Sequence, residues 1–318
     1  MSPTVPFFKY HGLGNDFIIV DAVDDAALAQ LAWNSIAPAW CRRHTGIGAD
    51  GVLVLSRCAD ADVAMRIVNS DGSDAQMCGN GIRCVAKYVI ERRGVRKSSL
   101  KIRTGSGVLA VTAEVRDGGG TQVVDRVTVN MGLPRFRPSQ VPVRAGGDSV
   151  LDAPLAGFSA DIDPRVLSRL VDDLAPFVAK AAPSLCAVSM GNPHAVLFVE
   201  RLDELPLHDL GPRLERFPAF PEKTNVHFVK VLTPTHAVMR TWERGAGATS
   251  ACGTGACAVL AAGVKTGRLR PRATITVPGG DLELEWRQEP TETGAAGIFK
   301  TGPAAEVFRG TAESGETP

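Results

Sequence analysis

The sequence predicts an α+β fold of two pseudo-symmetric domains, each a bent sheet or barrel around a central helix. Three observations carry that prediction: an internal duplication, a strand–loop–helix order common to both copies, and glycines at matched places. From Met65 the chain reads MRIVNSDGSDAQMCGNG, and from Met239 it reads MRTWERGAGATSACGTG. Methionine to cysteine is thirteen residues in both copies. Beyond the cysteines, Gly107 of TGSGVLAV follows after 29 residues and Gly280 of VPGGDLEL after 28. Upstream, Gly14-Asn15 precedes FIIVD and Gly191-Asn192 precedes AVLFV, with the asparagines 63 and 60 residues before their cysteines.

Each element follows from local pattern. Val63–Val68 and His236–Trp242 are short β-rich runs. After each comes a polar, glycine-rich loop and then a helix. The first helix is predicted over 79–92, with Ile82, Val85, Ala86, Val89 and Ile90 at helical spacing. The second, over 253–266, is so rich in Ala, Val and Leu that it should be buried all round. Gly94 and Gly267 end the helices as C-caps. Strands resume at Leu100–Arg103 and Ala273–Val277. Gly132, Pro134 and Pro138 interrupt the strands, which puts the domain boundary at 133/134. Residues 139–186 have no counterpart in the first copy and are predicted to be an insertion with one helix, about 164–180. The Gly/Thr/Glu-rich tail, 310–318, is predicted to be disordered.

Composition excludes several functions. With 44% hydrophobic and 22% charged residues, the 318-residue chain resembles an ordinary soluble protein. A net charge of +1 argues against nucleic acid as partner. The basic cluster Arg92, Arg93, Arg96, Lys97 and Lys101 reads as a solvated helix end and turn. No signal peptide is expected at 1–10, and no apolar stretch is long enough for a membrane span. Seven cysteines are an odd count, which favours free thiols in a reducing cytoplasm over a disulfide framework. Gly46-Ile-Gly48-Ala-Asp-Gly51 matches G-x-G-x-x-G but precedes a β-run instead of opening a helix, so a tight turn is expected there, not a dinucleotide site. No Cys/His spacing suits zinc, and neither metal nor cofactor is expected.

Cys78 and Cys252 each precede a Gly-x-Gly turn that opens a helix. Backbone N–H groups at such a turn lack intrahelical partners and carry partial positive charge. A thiol there should have a lowered pKa, and the same N–H groups would hold a carboxylate. The duplication implies both thiols at one cleft shared between the domains. Inversion at an unactivated Cα needs a base on one face and an acid on the other, and two facing thiols meet that need. The alternatives are simple packing of small apolar residues, or a redox pair. For Cys41, Cys58, Cys84, Cys186 and Cys257, packing is the expectation.

Glu243-Arg244 stands where the first copy has Asn69-Ser70. That asymmetry suits recognition of one particular substrate end, Arg244 for a carboxylate and Glu243 for an ammonium. A surface ion pair is the plainer alternative. Asn15, Asn69, Asn192 and Asn225 fall at strand ends and are candidate ligands. His194 could polarise a carboxylate or simply pack. His11 and His44 read as structural, and His208, His227 and His236 carry no signal.

Together HGLGNDFIIVD, RHTGIGADG, NSDGSDAQMCGNGIRC, GNPHAVLFV, TNVHFV, MRTWERGAG and ACGTGACA closely resemble diaminopimelate epimerases. The resemblance implies a pyridoxal-independent isomerase acting on LL-2,6-diaminopimelate in lysine and peptidoglycan precursor synthesis, with Cys78 and Cys252 as acid and base. It makes Asn15, Asn69, Gly79, Asn80, Asn192, Asn225, Glu243, Arg244, Gly253 and Thr254 substrate ligands, with His194 in support. It also implies that a last strand, about 300–309, returns to the first domain, and it leaves a homodimer open. The chain departs from the pattern at Ala248 and Gly51, and its 139–186 segment is longer than the resemblance suggests. Other racemases of this fold remain alternatives. The proline-racemase-like group favours His at the place of Asn80, and the phenazine-isomerase-like group lacks one or both cysteines. A non-catalytic amino-acid-binding protein is the alternative from another class.

Overall fold

The structure, a computed structural model, describes residues 4–179, 182–290 and 295–314. The chain forms two compact units, Met1–Asn130 with Thr301–Pro318, and Met131–Lys300.

In the first unit the strands are β1 (Thr4–Gly12), β2 (Asn15–Asp21), β3 (Gly51–Ser56), β4 (Val63–Asn69), β5 (Asp74–Ala75), β6 (Ser99–Thr104), β7 (Gly107–Asp117) and β8 (Gln122–Asn130). Short helices α1 (Ala26–Ala29) and α2 (Trp33–Cys41) lie between β2 and β3. β1 and β2 are antiparallel, β2 and β3 parallel, and β3 and β4 antiparallel. β4 continues the sheet parallel to β6, and β6–β7–β8 is an antiparallel meander. Helix α3 (Gly81–Glu91) packs on β1, β2, β7 and β8, strands from both ends of that order, so the sheet must curl around it. The helix is buried on more sides than its apolar stripe suggests, because Arg83, Cys84 and Tyr88 are covered too. Lys87 and Glu91, on its remaining face, pair with each other and with the backbone of Val124 on β8.

The second unit repeats this plan. Its strands are β9 (Ala153–Pro154), β10 (Ser184–Ser189), β11 (Pro193–Phe198), β12 (Asn225–Thr233), β13 (His236–Glu243), β14 (Gly247–Thr249), β15 (Arg272–Val277) and β16 (Gly280–Arg287). β10–β11 is antiparallel, β11–β12 parallel, β12–β13 antiparallel, β13–β15 parallel and β15–β16 antiparallel. Strand for strand, the senses match those of the first unit. Helix α6 (Gly253–Lys265) packs on β10, β11, β12, β15 and β16. Residues 255–263 of it are all buried. Its C-terminus is a Schellman turn, with Gly267 at φ +71° and the Arg268 N–H donating to Gly263 O at 2.7 Å. The chain passes from the second unit back to the first within β17 (Gly297–Gly302), after Lys300.

Several sequence expectations need correction. The unit boundary follows Asn130, because the Met131 N–H donates to Ile298 O and Ile298 donates back to Gly132 O. In the 139–186 segment, helix α4 (Pro164–Leu174) stops before Pro176, which has no N–H to continue it, and a 3₁₀ turn follows. Lys180, where the helix was expected to end, lies outside the described residues. Leu167, Leu170 and Leu174 of α4 join a core with Phe217, Phe220 and Phe228 and with Leu210 and Leu214 of helix α5 (Leu207–Glu215). The tail is not disordered from residue 310. Strand β18 (Ala305–Glu313) pairs antiparallel with β1 from His11↔Ala305 to Thr4↔Glu313, and the Trp40 indole donates to Glu313 O at 3.0 Å. Residues 315–318 lie outside the described residues.

Gly46, Gly48 and Gly51 form a turn that feeds β3. A Cβ on Gly46 would stand 2.3 Å from Ala39 O, and Gly48 has φ +79°. Glycine is there for backbone packing, not for a phosphate. The basic cluster is largely neutralised: Arg92 pairs with Glu306, Arg93 with Asp21 and Asp24, and Lys97 with Asp62. Among the described residues no helix is long and apolar enough to cross a membrane.

Deleting residues 310–318 should destabilise the protein by about 2 kcal/mol, the scale of two or three lost backbone hydrogen bonds. Urea unfolding of the truncated chain checks this, and an unchanged midpoint would mean that the strand contributes nothing past Arg309.

Candidate active site

In the first unit, Cys78 sits at the turn before α3. The Gly81 N–H points at its sulfur at 3.4 Å, and the Ile82 N–H bonds Cys78 O at 3.0 Å. The thiol donates to Asn15 Oδ1 at 3.7 Å, and the Asn80 amide donates to the same oxygen at 3.1 Å. Asn15 is oriented from behind, because its Nδ2 donates to Asp50 Oδ2 at 2.6 Å. Arg43 bridges Asp50 and Asp16, and Lys9, 5% exposed, pairs with Asp16 at 2.6 Å. Burial disfavours the ionised Asp16 carboxyl, but hydrogen bonds from Arg43 and Lys9 outweigh it and hold its pKa below the ordinary range. Fully buried Arg83 braces the turn from below, donating to Gly79 O at 3.1 Å and Asn80 Oδ1 at 2.9 Å. Asn69 lies at the end of β4, and its amide binds Ser73 Oγ at 2.9 Å, away from Cys78's own hydrogen bonds.

In the second unit, Cys252 is the N-cap of α6, and Gly253 and Thr254 are the first helical residues. Its sulfur accepts a hydrogen bond from the Gly255 N–H, again three residues on, and meets Thr254 Oγ1 at 3.8 Å. The Glu243 carboxyl, at the end of β13, also bonds this thiol and is held by the Thr249 hydroxyl at 2.5 Å. One expectation is overturned here. Desolvation, and then the charge of Glu243, push the Cys252 thiol well above its ordinary pKa, beyond what the helix-start N–H groups recover. Of the other cysteines, Cys41, Cys84 and Cys186 are buried and pushed up to about 12 by desolvation. All seven are free.

Asn192 and His194 join Cys252 through one chain of hydrogen bonds. Asn192 Nδ2 reaches Thr254 Oγ1 at 3.5 Å, and Asn192 Oδ1 meets His194 Nε2 at 2.9 Å. His194 Nδ1 meets His227 Nε2 at 2.9 Å, and His227 Nδ1 meets Thr241 Oγ1 at 3.0 Å. Asn225 has protein partners at both ends of its amide. Its Nδ2 donates to Pro193 O and its Oδ1 accepts the Arg244 N–H, so the buried amide clamps two backbone segments. The Arg244 side chain is exposed, with Nη1 on Glu222 O at 2.9 Å.

Asp50, Arg83, His227 and Thr241 escaped the sequence reading. Strand parity was the available signal for His227, which lies two residues past Asn225 and so on the same face. Burial pushes His227 down to about 3. Burial, then the charges of His227 and Arg244, hold His194 well below its ordinary range.

Two outcomes follow. A Cβ on Gly255 would stand 2.3 Å from His227 Cε1 and 2.9 Å from Cys252 Sγ, whereas one on Gly81 meets only Leu53 methyls at 3.4 Å and Cys78 Cβ at 3.6 Å. Gly255→Ala should therefore cost about 1–3 kcal/mol by overpacking, while Gly81→Ala should lie within about 1 kcal/mol of the parent. Denaturant titration of both variants decides it, and equal effects would refute the asymmetry. Second, both histidines have folded pKa values below the unfolded value of about 6.5, so the unfolded chain binds more protons once pH falls below it. Stability should be full above that pH and fall as pH drops towards 3, by at most about 1.4 kcal/mol per pH unit per histidine. A flat unfolding free energy between pH 6.5 and 4 would contradict buried neutral histidines.

A family model described as diaminopimelate epimerase matches residues 7–137 and 186–307. The gap coincides with the segment that has no counterpart in the first copy. A diaminopimelate epimerase from Heliobacterium modesticaldum is 44% identical over 304 residues, 96% of this chain and 98% of its own. One from Synechococcus elongatus is 42% identical over 313 residues, 98% and 99% of the two chains. Relatives of such similar length align through the 139–186 segment, so its length is not peculiar to this protein. Among solved structures, a PhzF-family phenazine biosynthesis protein from Bacillus anthracis shares the fold at TM-score 0.66 and 18% identity, covering 98% of this chain and 99% of that one. A hydroxyproline epimerase from Agrobacterium vitis, with bound trans-4-hydroxy-L-proline, does so at TM-score 0.64 and 17% identity, covering 98% and 92%. With the duplicated cysteine turns and matches that run nearly end to end, the chain belongs to the diaminopimelate epimerase family.

Proposed function

We propose that this isomerase interconverts LL-2,6-diaminopimelate and the meso isomer by a two-base proton transfer between Cys78 and Cys252, with no pyridoxal cofactor. The observation that carries the reading is the duplicated thiol setting, in which a glycine amide three residues beyond each cysteine points at its sulfur. In one direction a Cys78 thiolate takes the Cα proton, breaking C–H and forming S–H, while the Cys252 thiol delivers its proton to the opposite face. No electrons change hands. Burial and Glu243 favour a protonated Cys252, which suits it as the acid. A substrate ammonium beside Glu243 would offset that carboxylate and ease ionisation of Cys252, which the reverse direction requires. Backbone N–H groups at the starts of α3 and α6 would take the carboxylate as charge builds on it. Arg244 would read the distal carboxylate with its planar fork. Seven cysteines outside any disulfide support a reducing compartment such as the cytoplasm.

Cys78→Ala and Cys252→Ala should each lower turnover by at least about 10²-fold, the scale of losing an acid–base group. The assay is the appearance of meso-diaminopimelate from the LL isomer, and near-parental turnover in either variant removes the two-base mechanism. Arg244→Ala should cost about 2–5 kcal/mol in kcat/KM for diaminopimelate, and far less for lysine, which lacks the distal carboxylate. Equal losses on both substrates would make Arg244 structural.

A further inference from the structure

The duplication provides an internal control for the polar chain behind Cys252. By spacing and register, Phe17, Leu53 and Ile67 in the first unit correspond to His194, His227 and Thr241 in the second. Asn15 and Asn192 each stand two residues before Phe17 and His194. Phe17 pairs with Gly51 and His194 with Asn225, while Leu53 pairs with Ile67 and His227 with Thr241. Leu53 lies under Gly81, and His227 under Gly255. All six residues are at most 3% exposed. Behind Cys78 the trio is apolar. Behind Cys252 it is a linked set of hydrogen-bonding groups. The scaffold therefore packs without polar residues at these places, and packing alone does not account for them.

The chain has a direction. Asn192 Oδ1 only accepts, so His194 Nε2 carries the proton and His194 Nδ1 is bare. His227 must then donate from Nε2 to His194 Nδ1, which leaves His227 Nδ1 to accept from the Thr241 hydroxyl. At the other end Asn192 Nδ2 donates to Thr254 Oγ1, which frees the Thr254 hydroxyl hydrogen for the Cys252 sulfur. Every bond points towards the sulfur.

We propose that His227 and Thr241 are positioning residues for Cys252: they lock His194 in its neutral Nε2-protonated tautomer and so keep Thr254 a donor to the sulfur, which favours the thiolate. The role rests on the reading of Cys252 as an acid–base group, but it can be measured without turnover. Without the His227 donor only Asn192 opposes the other His194 tautomer; its amide can turn over to match that tautomer, presenting Oδ1 to Thr254 and drawing the hydroxyl hydrogen away from the sulfur. In the second unit the groups facing this thiol are Glu243, Thr254 and the Gly255 amide, with Arg244 acting on His194, and all are retained in the variants.

The experiment follows iodoacetamide alkylation of Cys252 against pH, resolved from the other cysteines by peptide mass mapping. The midpoint reports ionisation independently of access to the buried sulfur. His227→Leu, which installs the first unit's residue, should raise the midpoint by about half to one pH unit, a 3- to 10-fold smaller thiolate fraction at a given pH. His227→Gln keeps a donor towards His194 and an acceptor for Thr241, and should restore the parental midpoint. Thr241→Val should shift it in the same direction as His227→Leu. Ring ¹⁵N shifts of the parent protein should show protonated Nε2 and bare Nδ1 on both histidines. A parental midpoint in His227→Leu, or the opposite tautomers, overturns the proposal. If His227→Leu does not fold, Thr241→Val and the ¹⁵N spectrum still decide it. Loss of the proposed epimerase reading would appear separately, as no meso product from a protein whose midpoint still responds to His227.

Discussion

In each unit a cysteine sulfur receives a backbone N–H from a glycine three residues along the chain, at the point where a buried helix begins. Most of the surrounding architecture serves that contact. The amide is available because the first turn of a helix has no carbonyl to bind it. Glycine is needed at Gly255 because any side chain would run into the strand beneath and into the sulfur itself. The sheet curls around the helix, so that each cysteine turn rests on strands that carry its polar neighbours: Asn15 on β2 for Cys78, and Glu243 on β13 for Cys252.

The fold was legible in the sequence because duplication makes weak local signals confirm one another. The matched Met–Cys intervals and helix-ending glycines placed strand, turn and helix in both units, and the cysteine pair stood out for the same reason. What stayed hidden depends on three-dimensional neighbours. The pKa of Cys252 was misread because helix-start chemistry is local, whereas burial and the Glu243 carboxylate act through space. The amide of Asn225 also bonds the backbone of Pro193 and Arg244, partners that no linear pattern displays. The Gly/Thr/Glu composition past Arg309 suggested disorder, but pairing with β1 supplies order that composition does not encode.

The two copies have diverged where chemistry differs and stayed alike where geometry is shared. Asn69 and Glu243 occupy the same strand end, one neutral and one charged. Asn15 and Asn192 occupy the same entry to a strand, but Asn15 is aimed by the half-buried Asp50 carboxylate while Asn192 is aimed by a buried histidine. Burial and the Glu243 carboxylate favour the protonated form of Cys252 within a backbone frame that the two copies share. Pseudo-symmetry thus supplies two comparable groups, and the unmatched side chains give each its own character.

The pairing of β1 with β18 bears on how the molecule is made. Thr4 is hydrogen-bonded in register opposite Glu313, and the whole second unit lies between them in sequence. On a ribosome the first unit emerges early but must hold β1 with one edge open until the final strand arrives. That edge, with Val5 and Phe7 facing the core, is a template for pairing with another nascent chain. The contact also has about the largest sequence separation the chain allows, so closing it is an entropically late event in folding. The second unit, contiguous in sequence, is free to mature first, which makes the N-terminal half of the protein the last to be finished.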